Sequence, residues 1–160
     1  MKKLNLLLYI MIVMALLPLK SAFAYDDLMK SVEIAGAGMQ VQSDRLRIAA
    51  QNIANADSTG ITPGSDPYRR KTIYFKSVKD KKLGTEKVAV RKYGYDQSDF
   101  RMVYDPHHPA ANAQGYVAYP NVDKMIENMD AKEAQRSYEA NISVIDMSKT
   151  MMSNTIAIIK

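Results

Sequence analysis

Apolar residues recur in a 4-3 alternation near both ends of the chain, and this shared period constrains the fold more than any other feature. The first series runs Leu28, Val32, Ala35, Met39, Leu46, Ala49 and Ile53, with Gln42 as its polar exception. Towards the C-terminus Tyr138, Ile142, Ile145, Met152, Ile156 and Ile159 repeat the spacing, broken at Lys149. Such a period marks the seam of a coiled-coil-like helix. The first seam contains two alanines with Gly36 and Gly38 beside it, so it admits a close neighbour but buries little area. One helix is expected to stop at Asn55, and a second to run from an Asn121 cap to the last residues, with Asp123 in its first turn suiting the helix dipole. At about 1.5 Å per residue these helices extend roughly 40 and 55 Å. The roughly 60 residues between them are too few to cover such lengths, because a unit of that size is itself marginal. The seams therefore need partners, either each other in a closed bundle or neighbouring subunits.

Between the helices the period changes. Asn55 to Gly60 and Thr62 to Pro67 are rich in turn formers, and after them Tyr68 to Val78, Lys87 to Tyr95 and Phe100 to Tyr104 carry β-branched and aromatic residues in short runs. Asp105 to Pro109 opens a second irregular segment that runs through Gly115 to Pro120. The predicted fold is α+β, with long N- and C-terminal helices forming a coiled-coil-like pair and a small β-rich insert between them. Its segments are 25–57, 58–120 and 121–160, preceded by 1–24.

Residues 1–24 have the three parts of a secretory signal: basic Lys2 and Lys3, an apolar stretch from Leu4 to Leu17, and Ala22-Phe23-Ala24 as a small-residue site. Cleavage after Ala24 is expected to leave Tyr25 as the first mature residue; an uncleaved anchor and a start at Met29 are the alternatives. The formal charge of +5 owes much to Lys2, Lys3 and Lys20, since residues 25–160 carry 19 basic and 17 acidic side chains. That balance gives no argument for nucleic-acid binding. Within residues 66–95, however, ten basic side chains face three acidic ones. They form either a solvated strand face or a contact for an acidic neighbour, whether another subunit, peptidoglycan or anionic lipid.

No residue pattern specifies catalysis. The chain has no Cys, which removes thiolate metal sites and thiol nucleophiles. His107 and His108 beside Asp105 are its only histidines, too few for a structural metal centre, so no metal site is expected. Gly36-Ala37-Gly38 has no strand before it and no third glycine, and reads as close helix packing rather than a nucleotide loop. No cofactor and no small-molecule substrate are expected.

Gln51-Asn52-Ile53-Ala54-Asn55-Ala56 resembles the Asn-containing motif that ends the N-terminal helix of the flagellar rod and hook proteins, and Pro67-Tyr68-Arg69-Arg70-Lys71 resembles the segment that follows it. Gly115-Tyr116-Val117-Ala118-Tyr119-Pro120-Asn121-Val122-Asp123 is similar to a signature of proximal-rod members, and Arg136 to Asn141 and Lys149 to Met152 continue the likeness. The resemblance covers about residues 28–160. It implies a structural subunit of the basal-body rod in the periplasm, without enzymatic activity or cofactor, that polymerises through its terminal helices with other rod proteins and copies of itself and transmits torque. The expected interface is the two seams together with Asn55 and Asn141. Members of that family usually begin near the equivalent of Leu28, so the preceding residues depart from its pattern. The competing expectation is a monomeric periplasmic binding module that uses the basic insert.

Overall fold

The computed structural model describes residues 21–81 and 83–159. Residues 1–20, most of the signal-like segment, lie outside the described residues, and Ala24 and Tyr25 fall in the first helical turns. Two long helices, α1 (Ser21–Ala54) and α2 (Lys124–Ile159), enclose four strands: β1 (Lys71–Lys79), β2 (Glu86–Tyr95), β3 (Arg101–Tyr104) and β4 (Tyr116–Tyr119). The architecture is the α+β arrangement that the two periods predict. Among the described residues no helix is long and apolar enough to cross a membrane.

The helices pack on each other, and pairs at Asn52–Glu127, Arg45–Asp130 and Gly38–Asn141 make them antiparallel. The contact stripe on α1 is not the predicted apolar seam but one turned slightly around the axis. It keeps Ala35 and Ala49, both buried, and takes in Gly38, Val41, Ile48 and Asn52, whereas Leu28, Val32, Met39, Leu46 and Ile53 stay half-buried along its flank. On α2 the buried positions are Glu127, Ala134 and Ser148, with Tyr138, Asn141, Ile145 and Met152 half-buried in the same stripe. Small and polar groups let the axes approach closely, which favours van der Waals contact over buried apolar area.

Gly38 shows how close the approach is. A Cβ built on it would lie 2.9 Å from the Asn141 side chain, whereas one on Gly36 would meet nothing within 4 Å. Gly36→Ala is therefore expected to stabilise the chain by about 0.5–1 kcal/mol through helix propensity. Gly38→Leu is expected to destabilise it by about 1–3 kcal/mol through overpacking. Thermal unfolding of the two variants checks this, and equal effects would show that the helices are not in close contact at Gly38.

On another side of α1 lies the hairpin β1–β2, antiparallel from Lys71↔Tyr95 to Lys79↔Glu86, with a bulge that leaves Arg91 unpaired beyond Tyr74 and Phe75. Contacts of Lys71 with Asn52 and of Tyr93 with Arg47, and the nearness of Lys87 to Glu33, carry the hairpin along the helix. Gly84 closes its turn at a φ of 68°, in the left-handed region that favours glycine. The second ribbon, β3–β4, pairs Arg101↔Tyr119 through Tyr104↔Tyr116. The sequence places Tyr116–Tyr119 in an irregular segment, whereas in the structure it is a short strand with Val117 completely buried. Gly115, at a φ of 81°, turns the chain into it.

The cap of α2 also differs from expectation. Asp123, not Asn121, accepts the first free backbone N–H groups of the helix, from Met125 at 2.8 Å and Ile126 at 3.3 Å. Asn121 instead ties the insert together, accepting from the Arg70 backbone N–H at 2.9 Å and donating to the Ser98 hydroxyl at 2.9 Å.

Candidate assembly surface

The site that sets the geometry of the molecule is a buried polar junction where α1, α2 and the root of β1 meet. Asn52 has no solvent exposure, and its amide uses its full hydrogen-bonding capacity. It donates to the Lys71 carbonyl at 2.9 Å and to Glu127 Oε2 at 3.0 Å. Its oxygen accepts from the Lys71 backbone N–H at 2.9 Å and from the Tyr68 hydroxyl at 2.8 Å. One side chain thus fixes the first residue of the hairpin to both helices.

Glu127 is 2% exposed and needs a cation, which Arg70 supplies through Nε to Oε1 at 2.6 Å. Arg70 also lies 3.6 Å from Asp96 and 3.8 Å from Asp130, and Asp130 pairs with Arg45 at 2.9 Å. Burial, followed by the charge of Glu127, raises the Tyr68 hydroxyl above the ordinary tyrosine range and keeps it a donor. The Ser98 backbone N–H and then its hydroxyl hold the Asp96 carboxyl below its usual value, with Arg70 adding to the effect.

A carboxyl whose folded-state pKa is lowered stabilises the fold above its unfolded pKa, and that contribution disappears as pH falls through the folded value. Stability is accordingly expected to decline below about pH 4, with Asp96 contributing to the slope. In Asp96→Asn the decline should be shallower, as urea unfolding at a series of acidic pH values would show; an unchanged slope would remove Asp96 from the account.

Three of these groups fall within the motifs quoted above: Asn52 in the first, Tyr68 and Arg70 in the second. The sequence reading assigned them no role, and Glu127 it missed entirely. The available signal was a polar residue at a position that the helical period places towards the partner helix.

The other half of the site is what the helices leave uncovered. On α2, Met125, Met129, Val144, Met147 and Met151 are 74%, 66%, 36%, 54% and 54% exposed. With exposed Ala140, the last three continue a 4-3 spacing on a flank of the helix, about a quarter-turn round from Ala134, Asn141 and Ser148. The helix therefore has two faces, a small and polar one for α1 and a Met-rich one that no described residue covers.

The sequence-predicted interface residues divide accordingly. Ala35 and Ala49 are buried within the chain; Leu28, Val32, Met39, Leu46 and Ile53 on α1, and Tyr138, Asn141, Ile145 and Met152 on α2, are half-buried. Ile142 and Ile156 are exposed at 38% and 56%. The side chain of Ile159 lies outside the described residues. Asn55 closes the end of α1, its Nδ2 donating to the Gln51 carbonyl at 2.8 Å.

Among the described residues no three His, Asp or Glu side chains are placed to share a metal ion. His108 Nδ1 accepts the Ala110 backbone N–H at 3.1 Å, which is a loop contact. One cleft, of about 660 Å³, is open and lined by polar groups such as Asp57, Asp99, Asn121 and Lys124.

A chain whose helices pair through small groups and leave a larger apolar face outside is of the kind that completes its packing against neighbours. Comparison with known proteins defines the class: residues 113–158 match the model for the C-terminal region of the flagellar basal body rod FlgEFG proteins. The flagellar basal-body rod protein FlgC of Agrobacterium fabrum is 51% identical over 135 residues, 84% of this chain and 97% of that protein. FlgC of Escherichia coli O6:H1 is 40% identical over 132 residues, and that of Bacillus subtilis 34% identical over 143, covering 97% and 95% of those proteins. The chain belongs to the FlgC family of flagellar basal-body rod proteins.

Proposed function

We propose that the chain is a structural subunit of the proximal rod of the flagellar basal body, polymerising through its terminal helices with other rod proteins and with copies of itself. The single observation that carries this reading is the two-faced α2. Covering the exposed parts of Met129, Val144, Met147 and Met151 with a neighbour contributes about 1 kcal/mol each, which no described residue supplies. The half-buried flank of α1, from Leu28 through Val32, Met39 and Leu46 to Ile53, offers a second face for the same purpose, and Ile142 and Ile156 extend the surface of α2.

The junction at Asn52 supports the reading from another direction. It fixes the insert to the helices by fully satisfied polar contacts, so load applied to one is passed to the other without a compliant loop. Torque transmission needs that rigidity, and chemistry would not. Peptidoglycan is a further partner within this reading, met by the basic insert. No observation favours the alternative of a ligand-binding module, since the clefts are open to solvent.

The test is removal of the gene with complementation. Cells lacking it should fail to build a rod and should not swim, while the wild-type gene restores both. Rods completed in its absence would overturn the proposal.

A further inference from the structure

The signal-like pattern of residues 1–24 has no part in the rod-subunit reading, and three observations decide among the alternatives it leaves open. The first is length. Leu4 to Leu17 is an apolar stretch of 14 residues. As a helix it would reach about 21 Å, whereas the hydrocarbon core of a membrane takes about 30 Å. It is too short for a permanent anchor and of the length that a cleavable signal uses. The second is the extent of the likeness to relatives. The Agrobacterium fabrum protein is matched over 135 of the 160 residues, and the rod family model reaches residue 158, so nearly all of the 25 residues left over precede the matched region. Removal of residues 1–24 leaves 136 residues and keeps that region whole, whereas a start at Met29 leaves 132 and cuts into it.

The third observation lies in α1. As the helix extends from Ser21, its first turn holds no acidic residue. Begun at Tyr25, it has Asp26 and Asp27 in the first turn, where carboxylates suit the positive end of the helix dipole. Asp27 is already tied to the turn that follows: its carboxylate pairs with Lys30 at 3.1 Å, and its carbonyl accepts from the Ser31 hydroxyl at 2.9 Å. The end that cleavage creates is a better helix N-terminus than the one it removes.

We infer that the Ala24–Tyr25 peptide bond is a processing site, hydrolysed by an endopeptidase that admits only small side chains one and three residues before the bond. Water is the co-reactant. The C–N bond breaks, Ala24 departs as the carboxylate end of the removed segment, and Tyr25 keeps the nitrogen as a free ammonium group. In an extended backbone Ala22 and Ala24 point to one side and Phe23 to the other, so two small pockets take the alanines while the ring stays outside. In α1 the same residues are helical, so cleavage acts on the extended chain, before this end of the helix forms or when it frays. Lys2 and Lys3 ahead of the apolar stretch, against Lys20 alone behind it, hold the start of the chain on the cytoplasmic side and send Tyr25 across. The general secretory route thereby delivers the subunit to the periplasm.

The experiment recovers the chain from whole cells and from their periplasmic fraction and determines its intact mass and its N-terminal peptide. Tyr25 is expected as the first residue in the periplasm. Ala22→Leu combined with Ala24→Leu should slow maturation at least about tenfold in a pulse-chase and leave the full-length chain in the membrane fraction, because the added bulk does not enter the small pockets. Leu8→Arg combined with Ile12→Arg should keep the full-length chain out of the periplasm, since it places charge within the apolar stretch. Met29→Leu should change neither the amount of the chain nor its first residue. A chain that begins at Met1 or Met29, loss of the chain in Met29→Leu, or unaltered maturation of the double leucine variant would each overturn the inference. The readouts do not depend on rod assembly: a chain processed at Tyr25 in cells that build rods without it counts against the rod-subunit reading alone, and rods built from unprocessed chain count against the processing site alone.

Discussion

Arg70→Met is expected to destabilise the chain by about 3–5 kcal/mol, because it leaves Glu127 ionised and buried without a cation. The substitution preserves much of the side-chain volume, so the effect reports charge rather than a cavity. Glu127 keeps only its contact with the Asn52 amide, and the pull of Arg70 towards Asp96 and Asp130 is lost as well. Combining Arg70→Met with Glu127→Leu should recover most of the loss, since an apolar pair replaces an ion pair whose desolvation was costly. Recovery will be incomplete. Asn52 would retain one donor without its acceptor, at about 1–3 kcal/mol. Urea unfolding at neutral pH measures all three proteins, and a loss below about 1 kcal/mol in Arg70→Met would show that the junction does not bear on stability.

Met147→Glu combined with Met151→Lys is expected to abolish rod assembly and motility while leaving the free chain as stable as the wild type within about 0.5 kcal/mol. Both positions are more than half exposed, and Glu four residues before Lys on a helix forms a mildly favourable pair. In a dry contact with a neighbour the same charges would cost several kcal/mol. Ile145→Asp also targets α2, but Ile145 shares a stripe with Asn141 and Ser148 on the side that meets α1, so it would damage the helix pair before assembly is reached. Swarming plates together with thermal unfolding separate the two cases. Full motility in cells carrying the Met147 and Met151 variant would show that the Met-rich face is not a subunit interface.

Much of the fold was legible because its periods differ so plainly. The 4-3 series from Leu28 and from Tyr138 announced two long helices, and the β-branched and aromatic runs Tyr68 to Val78 and Lys87 to Tyr95 announced a β-rich insert, since these patterns follow from where side chains point along each kind of backbone. The strand Tyr116–Tyr119 escaped notice because four residues beside a glycine and a proline cannot be told from a loop without the partner strand that pairs with them. Asn121 and Asp123 were both plausible caps by residue type. Only the position of Arg70 and Ser98 decided that Asn121 would serve the insert and leave the cap to Asp123.

The sequence by itself determined the helices, the β-rich insert and, through its motifs, the family. It could not determine which face of each helix turns inward, because Ala35 and Ala49 belong equally to the apolar seam and to the small, polar stripe beside it. The tertiary structure chose the stripe that includes Gly38 and Asn52. Gly38 lets the helices approach until Asn141 touches it, and Asn52 can satisfy every one of its polar atoms only where Lys71, Tyr68 and Glu127 converge. A buried amide with four partners outweighs the burial of one more Met or Leu, since an unsatisfied polar group costs about as much as that burial contributes. The larger apolar side chains were left on the outside for that reason, where another subunit can reach them.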